Sequence, residues 1–456
     1  MTRRCIPLIS LLLLALPATA SADRARAQSL GGVGLLMEDS SNLFTNPGLI
    51  GRYSDRAWFS LGVVGAGADA TFTPHGGAAV TIGRVVDLGV VLNRSPQAYD
   101  FGNALWPAGT LYLPAGPGGL IQIPNAPTEP TAPLRFPIDL FVGFGQRDRG
   151  ARVGINLYYA GGVLKTEDTT FDPESPLDDV TLAESQSHLA SLSIGVAAPT
   201  DLRVRPEAWI RGSFLAVTSV QRTVIGQSTF VEGETTVDRA TNLDSDVRVG
   251  AGVRVHIGDP TALRGVVWTP AAQYDVAPSW YHFNDEHEQN DAERVSHQPT
   301  AHDLRLGLGV AARLEDLRIL GSASFTLQDL RVRHVNDREG TLVVDRREDV
   351  GLPEVTLGAE YRLRPFLLVR GGLRTSLVGG RTAQSTTFFD EDVEGPVELR
   401  SFGASAPRVP ILALEAHGGV GIEVRRMTLD ATLGGLLLGA DGMALIGRMD
   451  LGFHFR

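Results

Sequence analysis

Four histidines lie among carboxylates within the stretch 280–302, and they are the side chains of this sequence best suited to metal chemistry. They are His282, His287, His297 and His302. Imidazole and carboxylate groups are ordinary ligands of zinc and related divalent ions. The four histidines follow no defined ligand spacing, so a solvated acidic loop is the better interpretation. We therefore expect neither a metal nor any other cofactor.

Catalysis by a nucleophile finds little support in the sequence. Such catalysis needs a serine, threonine or cysteine activated by a neighbouring base. Four histidines fall at or near inward positions of the strands predicted below, namely His188, His256, His417 and His454. No recognisable nucleophile motif stands beside any of them, and we do not expect the chain to be an enzyme.

The connection 94–135 is a candidate binding segment. It contains many apolar residues, although a connection that forms an external loop is normally polar. Its large apolar side chains are Leu105, Trp106, Leu111, Tyr112, Leu113, Leu120, Ile121 and Ile123. Exposed apolar groups of this size usually mark a binding surface. Two interpretations stay open: the loop captures a hydrophobic ligand, or its side chains pack against neighbouring loops or lipopolysaccharide.

The stretch DSSNLFTNPGLIGRY, residues 39–53, predicts a short helix that is ended by a proline turn. Asp39 or Ser40 can cap the helix. Pro47 ends it because proline lacks the amide donor and restricts Asn46 to extended angles. Asn46 can then bond nearby backbone, as asparagine does in turns. Either these residues form only a turn, or they belong to a movable element that controls a passage.

The first 27 residues predict a secretory signal peptide. A charged start precedes an apolar run over 6–17, and small residues offer cleavage after Ala20, Ala22 or Ala27. The apolar run is too short for a membrane helix. The only cysteine, Cys5, lies in this segment, so the mature chain has neither disulfides nor thiolate metal sites.

The charge of the mature chain argues against a nucleic-acid partner. The whole sequence has 41 basic and 52 acidic residues. Removing the four arginines and the one aspartate of the first 27 residues leaves 37 basic and 51 acidic residues, a net charge of −14. A surface that binds nucleic acid is normally basic.

Long segments that alternate apolar and polar residues dominate the rest of the chain. In the stretch 246–257, DVRVGAGVRVHI, every second residue is apolar, and the stretches 303–314 and 354–363 repeat the pattern. Ordinary strands average about 5–6 residues, whereas a membrane β-strand needs about 9–11. These runs match the longer class. The alternation therefore predicts lipid-facing apolar side chains and a polar lumen.

Connections along the chain alternate between short turns and long polar stretches. Outer-membrane barrels show the same alternation, with short periplasmic turns and longer external loops. Predicted short turns include 199–202, 315–316 and 425–426, and predicted long loops are 94–135, 165–186, 221–245, 277–301, 331–352 and 379–410. The alternation gives 14 to 16 strands and places both termini on the periplasmic side.

Together these patterns predict an all-β chain, a transmembrane antiparallel β-barrel with an N-terminal hatch inside its lumen. Residues 1–27 form the signal peptide, 28–56 the hatch and 57–456 the barrel. A lumen this wide is either a water channel or plugged, and the segment before the first strand is long enough to fold inside. Arginines and acids on the inner faces are similar in number, so we expect them to pair, with a polar substrate path as the alternative.

The stretch 37–53, MEDSSNLFTNPGLIGRY, resembles the hatch of the FadL-type long-chain fatty-acid and hydrocarbon transporters of the outer membrane. The matching positions are Glu38-Asp39, Asn46-Pro47 and Leu49-Ile50, and Gly48 replaces the usual alanine. The order of the first strands and the long loop that follows them is also similar. The PorV-type barrels of a secretion system carry similar Asn-Pro hatches.

The resemblance implies a function for both unusual segments. The external loop would capture a hydrophobic small molecule through Leu105, Trp106, Leu111, Tyr112, Leu113, Leu120 and Ile121. The hatch residues Asn46, Pro47, Gly48 and Leu49 would gate its passage through the lumen. Other expected partners are outer-membrane lipid, lipopolysaccharide and the barrel-assembly machinery, because the segment 444–455 resembles the C-terminal strand that this machinery recognises.

Three functions follow, and all remain open at this point. The first is transport of fatty acids or hydrocarbons by a monomer in the bacterial outer membrane. The second is a PorV-like secretion or surface-attachment partner. The third is a structural or general-diffusion barrel.

Overall fold

The computed structural model describes most of the chain from Asp23 onward. The described ranges are 23–30, 40–64, 71–83, 85–94, 112–114, 120–122, 135–145, 150–170, 178–227, 234–259, 264–287, 290–336, 342–390, 397–438 and 445–455. In the described part of the chain, no helix has the length and apolar character needed to cross a membrane.

Sixteen antiparallel strands close into one barrel, and two short strands form a separate ribbon. In chain order the strands are β1 Arg56–Val64, β2 Thr71–Ile82, β3 Val86–Leu92, β4 Tyr112–Pro114, β5 Leu120–Gln122, β6 Arg135–Phe144, β7 Arg152–Thr170, β8 Asp178–Ala197, β9 Val204–Gln227, β10 Glu234–Ile257, β11 Arg264–His287, β12 Asn290–Leu314, β13 Leu317–Asn336, β14 Leu342–Arg364, β15 Leu367–Asp390, β16 Val397–Val424, β17 Met427–Leu438 and β18 Leu445–His454. β4 and β5 pair only with each other, in a sheet separate from that of the barrel.

The barrel closes where its first strand pairs with its last. The ladder between β1 and β18 runs from Arg56–His454 to Val64–Ile446. Every other neighbouring pair in the ring is also antiparallel, in the order of the chain. The predicted transmembrane β-barrel is confirmed, and the strand number is 16.

The two faces of the wall differ as the alternation predicts. Val249 and Val253 of β10 are exposed on the outside, whereas Arg248 and Arg254 of the same strand are buried on the inside. The outward side chains are apolar because they contact lipid, and the inward ones are polar because they line the lumen.

The wall is much taller on one side than on the other. Strands β7 to β16 have 19 to 28 residues. The six strands β17, β18, β1, β2, β3 and β6 have only 7 to 12. The ladder between β2 and β3 ends at Gly76–Leu92, so the stretch 71–75 of β2 is paired with β1 alone among the described strands.

The tall side corrects a prediction from the sequence. Long polar loops were expected at 165–186, 221–245, 277–301, 331–352 and 379–410, but most of these residues continue the strands. Backbone hydrogen bonds can join two strands whether or not one face of the sheet contacts lipid. The alternation of apolar and polar residues, in contrast, is expected only where one face contacts lipid. The alternation therefore marks only the lipid-facing part of each strand, and the loops inferred from its end are too long.

The N-terminal segment contributes three short helices. A helix over Asp23–Ser29 and two 3-10 helices, Ser40–Phe44 and Pro47–Arg52, precede β1. Two-residue turns such as Glu315–Asp316 join the strands at one end of the barrel, here called the turn end. The N-terminal helices pack against the inner faces of the wall strands near that end.

Candidate functional site: the hatch and its seat

The four residues of the predicted gating motif are all buried. Asn46 is fully buried, Leu49 is almost fully buried, and Pro47 and Gly48 are buried beside them. They pack against inward-facing residues of β6, β7 and β8. The described residues 40–55 therefore pack against the inner face of the barrel wall.

Asn46 connects the hatch turn to the wall. Its backbone is extended, with φ −123° and ψ 95°, as the following proline requires. Its Oδ1 accepts a hydrogen bond from the amide of Gly48 at 3.0 Å, and its Nδ2 donates to the carbonyl of Val196 at 3.0 Å. The first bond is the predicted turn. The second anchors the turn to strand β8.

A row of three glycines forms the seat of the hatch. Gly143, Gly154 and Gly195 face one another across β6, β7 and β8. An added Cβ would overlap the Ile50 side chain at Gly143, the Pro47 carbonyl at Gly154 and the Asn46 side chain at Gly195. Glycine in a strand allows another backbone to approach closely. These three positions are therefore shaped for the hatch.

Gly48 completes this close approach from the hatch side. A Cβ at Gly48 would lie 2.8 Å from the carbonyl oxygen of Gly195, closer than real Cβ contacts. The departure from the alanine of the FadL-type pattern thus has a physical reason. Two glycines meet here, and neither backbone has room for a methyl group.

An apolar cluster lies between the hatch and the low side of the wall. Its buried members are Leu43, Ile50, Ala79, Val91 and Phe141, with Phe44, Tyr53 and Trp58 packed against them. Among the buried members, Leu43 and Ile50 come from the hatch, whereas Ala79, Val91 and Phe141 come from β2, β3 and β6. Full burial of such a side chain contributes roughly 1.5–3 kcal/mol. This cluster holds the hatch and is apolar inside a lumen that is otherwise rich in charge.

Arg94 joins this cluster to the start of the connection 94–135, which the sequence predicts to be an external loop. It follows β3 and is almost fully buried. Its Nε and Nη2 donate to Asp139 at 2.7 and 2.5 Å. Its guanidinium lies over the rings of Phe44 and Tyr158, 4.3 and 5.0 Å from the ring centres. The loop therefore leaves the wall at a residue that touches the hatch.

Charged contacts hold the other edge of the hatch. Arg52 donates to Glu207 at 2.9 Å, and Glu207 also accepts from Arg254 at 2.5 Å. Arg152 pairs with Asp87 at 2.9 Å, and its guanidinium occupies the space that a Cβ at Gly51 would need. The hatch is thus fixed by buried ion pairs as well as by apolar packing.

Charges elsewhere on the inner face are also paired, as predicted. Arg211 pairs with Asp275 at 2.9 Å. Arg370 contacts both Glu360, at 2.6 Å, and Asp430. Among the described inner-face residues, these arginines therefore serve wall-to-wall pairing.

The predicted capture residues are described only in part. Tyr112 and Leu113 lie on β4, and Leu120 and Ile121 lie on β5, where Leu113 pairs with Ile121. The ribbon brings these four positions together at the level of the backbone. Leu105, Trp106 and Leu111 lie outside the described residues.

Several residues of the site were not predicted from the sequence. The seat glycines and the contact between Arg94 and Phe44 depend on which strands become neighbours. One available signal was a glycine at an inward position, since such a glycine marks a close backbone approach. Gly154 and Gly195 are such positions in the alternating stretches of β7 and β8.

No protein-family model and no curated protein matches this chain. Solved structures similar to it include the CymD monoaromatic hydrocarbon channel, at 9% identity and a TM-score of 0.43, over 97% of this chain and 98% of that chain. The Pseudomonas putida toluene transporter TodX is 10% identical, with a TM-score of 0.39, over 96% of this chain and 98% of that chain. The Ralstonia pickettii toluene transporter TbuX is 12% identical, with a TM-score of 0.39, over 97% of this chain and 99% of that chain. At these values the likeness is distant, and it assigns no ligand to this chain.

Proposed function

We propose that this chain transports hydrophobic small molecules of the fatty-acid or hydrocarbon class across the bacterial outer membrane. The observation that carries the proposal is the apolar cluster of Leu43, Ile50, Ala79, Val91 and Phe141. The cluster packs the hatch against the wall, and it also offers the kind of apolar surface that a hydrophobic ligand needs along its path. The cluster also lies beside the end of β3, where the wall is lowest.

The external loop and the cluster are continuous along the chain. The loop leaves from β3, which contributes Val91, and returns at β6, which contributes Phe141. We infer that a ligand captured by the loop residues, including Trp106, Tyr112 and Leu113, passes directly from the loop to the cluster, beside the ion pair of Arg94 and Asp139.

Gating follows from competition for the same apolar surface. Leu43 and Ile50 of the hatch occupy the cluster. A ligand that binds better to the cluster when these side chains have left it shifts the hatch away from its seat, because only differential affinity moves a conformational equilibrium. Asn46, Pro47, Gly48 and Leu49 are the residues that move with the hatch in this proposal.

The proposal includes an orientation and a set of partners. The turn end with its short connections faces the periplasm, together with both termini, and the tall side rises outside the cell. The outward apolar side chains contact lipid and lipopolysaccharide, and β18 is the strand offered to the assembly machinery. The barrel acts as a monomer.

Ligand binding by the purified barrel tests the proposal. Titration with a long-chain fatty acid and with toluene should each be measured for the wild type and for Trp106→Ala. We expect binding of at least one ligand, and a loss of affinity of about tenfold in Trp106→Ala, because interface tryptophans commonly carry more than about 1.4 kcal/mol. Trp268→Ala is the matched control, since Trp268 is about half exposed on the outer face.

Four outcomes would count against the proposal. If a folded barrel binds neither the fatty acid nor toluene, the proposed transport of hydrophobic molecules is wrong. If Trp106→Ala binds the ligand with the same affinity as the wild type, the loop does not capture ligand through this residue. Large steady conductance of the wild type in planar bilayers favours a general-diffusion barrel, and co-purification with a secretion complex favours the PorV-like alternative.

A further inference from the structure

The helix Asp23–Ser29 lies inside the barrel although the signal-peptide prediction extends to residue 27. Ala25, Ser29 and Leu30 are fully buried. The helix packs against β15, β16, β17 and β18. These strands lie across the ring from the hatch seat on β6, β7 and β8. The described N-terminal segment therefore contacts two opposite walls of the lumen.

Polar contacts tie this helix into the charge network of the wall. Arg26 donates to both oxygens of Glu360, from Nη2 at 2.7 Å and from Nε at 2.9 Å. Glu360 also accepts from Arg370, which in turn contacts Asp430. A bidentate arginine–carboxylate pair is a strong and directional contact. Arg26 is thus the luminal member of a network that spans β14, β15 and β17.

A second polar contact lies one residue earlier. The amide of Ala25 donates to Asp450 Oδ2 at 2.6 Å, and the hydroxyl of Ser60 donates to the other oxygen of the same carboxylate. Asp450 is itself buried. Loss of Ala25 would remove one of these donors from a buried carboxylate, which is unfavourable.

The wall is shaped for the helix as it is for the hatch. A Cβ at Gly358 would lie 2.7 Å from the carbonyl oxygen of Leu30, and a Cβ at Gly419 would lie 2.6 Å from the Cβ of Ser29. Ala27 and Leu30 form an apolar cluster with Leu320. Two strand glycines thus admit the end of the helix, as the row on β6, β7 and β8 admits the hatch.

We propose that the signal peptide is cleaved after Ala20 or Ala22, and that Asp23–Leu30 remains in the mature protein as a second plug. All three candidate sites have alanine at positions −3 and −1 of the cut, so the sequence alone does not choose between them. Cleavage after Ala27 would remove Ala25 and Arg26 and place a charged terminus next to a buried segment. Cleavage upstream leaves every contact described above intact.

The mass of the mature protein tests the cleavage site. The full-length gene is expressed, the barrel is purified from outer membranes, and its intact mass and N-terminal peptide are determined by mass spectrometry. We expect the first residue to be Ser21 or Asp23. A mature protein that begins at Gln28 overturns the proposal.

The role as a plug is tested by conductance in planar bilayers. Gly358→Ala adds a methyl group against Leu30 and changes no charge, so we expect a severalfold increase in the frequency of open events. Gly321→Ala is the matched control, because its Cβ would meet Leu357 at an ordinary 3.6 Å. We expect it to behave as the wild type.

Arg26→Ala provides a second measurement with a different physical basis. We expect the same increase in open events, with the N-terminus confirmed by mass. Arg264→Ala is its control, since Arg264 forms an exposed pair with Glu315. If folded Gly358→Ala and Arg26→Ala barrels are both as silent as their controls, the second plug is overturned. This result would leave the proposed ligand class untouched, because ligand binding is measured separately.

Discussion

The guanidinium of Arg94 lies 4.3 Å from the ring centre of Phe44. Arg94 is the last described residue of the segment that ends β3, before the predicted external loop, and Phe44 ends the first 3-10 helix of the hatch. The same guanidinium is held by Asp139. The contact therefore connects the loop proposed to capture ligand with the element proposed to open the lumen.

Removal of this connection should destabilise the barrel strongly. Arg94→Ala leaves Asp139 buried without its arginine, and breaking a buried ion pair costs about 3–5 kcal/mol. Urea unfolding of the barrel in lipid or detergent measures the free energy. Arg264→Ala removes an exposed pair and should cost only about 0–1 kcal/mol. Equal effects of the two substitutions would show that the buried contact has no special importance.

The glycine seat should control leakage through the lumen. Gly154→Ala places a methyl group on the Pro47 carbonyl, so we expect the hatch to leave its seat and the conductance in planar bilayers to rise. Gly418→Ala is the control, because its Cβ would meet no described atom within 4 Å. A silent Gly154→Ala barrel would mean that the hatch tolerates displacement without opening a path.

Restoring alanine at Gly48 should destabilise this chain, although alanine is the usual residue in the FadL-type hatch. Its Cβ would lie 2.8 Å from the Gly195 carbonyl oxygen. Overpacking of this kind costs about 1–3 kcal/mol. Thermal unfolding, compared with Gly212→Ala, whose Cβ would be 3.9 Å from its nearest neighbour, gives the difference. A more stable Gly48→Ala protein would contradict the tight seat.

Asn46→Asp separates the two hydrogen bonds of this side chain. The carboxylate still accepts from the Gly48 amide, but it faces the Val196 carbonyl with an acceptor in place of a donor. An unsatisfied buried group costs about 1–3 kcal/mol, and the added charge increases this cost. We expect a lower unfolding temperature and increased conductance. Retention of both wild-type values would show that the turn alone holds the hatch.

Phe141→Ala should weaken both the hatch and ligand binding. The side chain is almost fully buried in the apolar cluster and meets Phe44 edge-on at 5.8 Å between ring centres. Truncation of a buried phenylalanine costs about 3–5 kcal/mol. Phe325→Ala on the lipid-facing surface is the control. Fatty-acid affinity that stays constant in a folded Phe141→Ala barrel would place the ligand path elsewhere.

Much of the architecture is determined by the sequence alone. The alternation around Val249 and Arg248 fixes which side chains meet lipid and which meet the lumen, because a strand has only two faces. The turn at Asn46-Pro47 is equally local, since a proline restricts the residue before it. These features depend on neighbours in the chain. The strands and the hatch turn were therefore predictable.

The limit of local information is visible in the upper parts of the strands. The stretch 277–301 has no apolar face, yet β11 and β12 remain paired through most of it, to His287–Asn290. Pairing of two polar strands depends on backbone hydrogen bonds and on the partner strand. A pattern based on hydrophobicity does not record these interactions.

Only the tertiary structure decided how the site is assembled. Gly143, Gly154 and Gly195 become one seat because the register of three strands aligns them. Arg94 meets Phe44 because the hatch folds back into a closed barrel. Each of these contacts joins residues from separate elements, and strand register and chain reversal set their geometry. The sequence by itself determined the strands and their faces, whereas the closed ring determined which residues meet inside it.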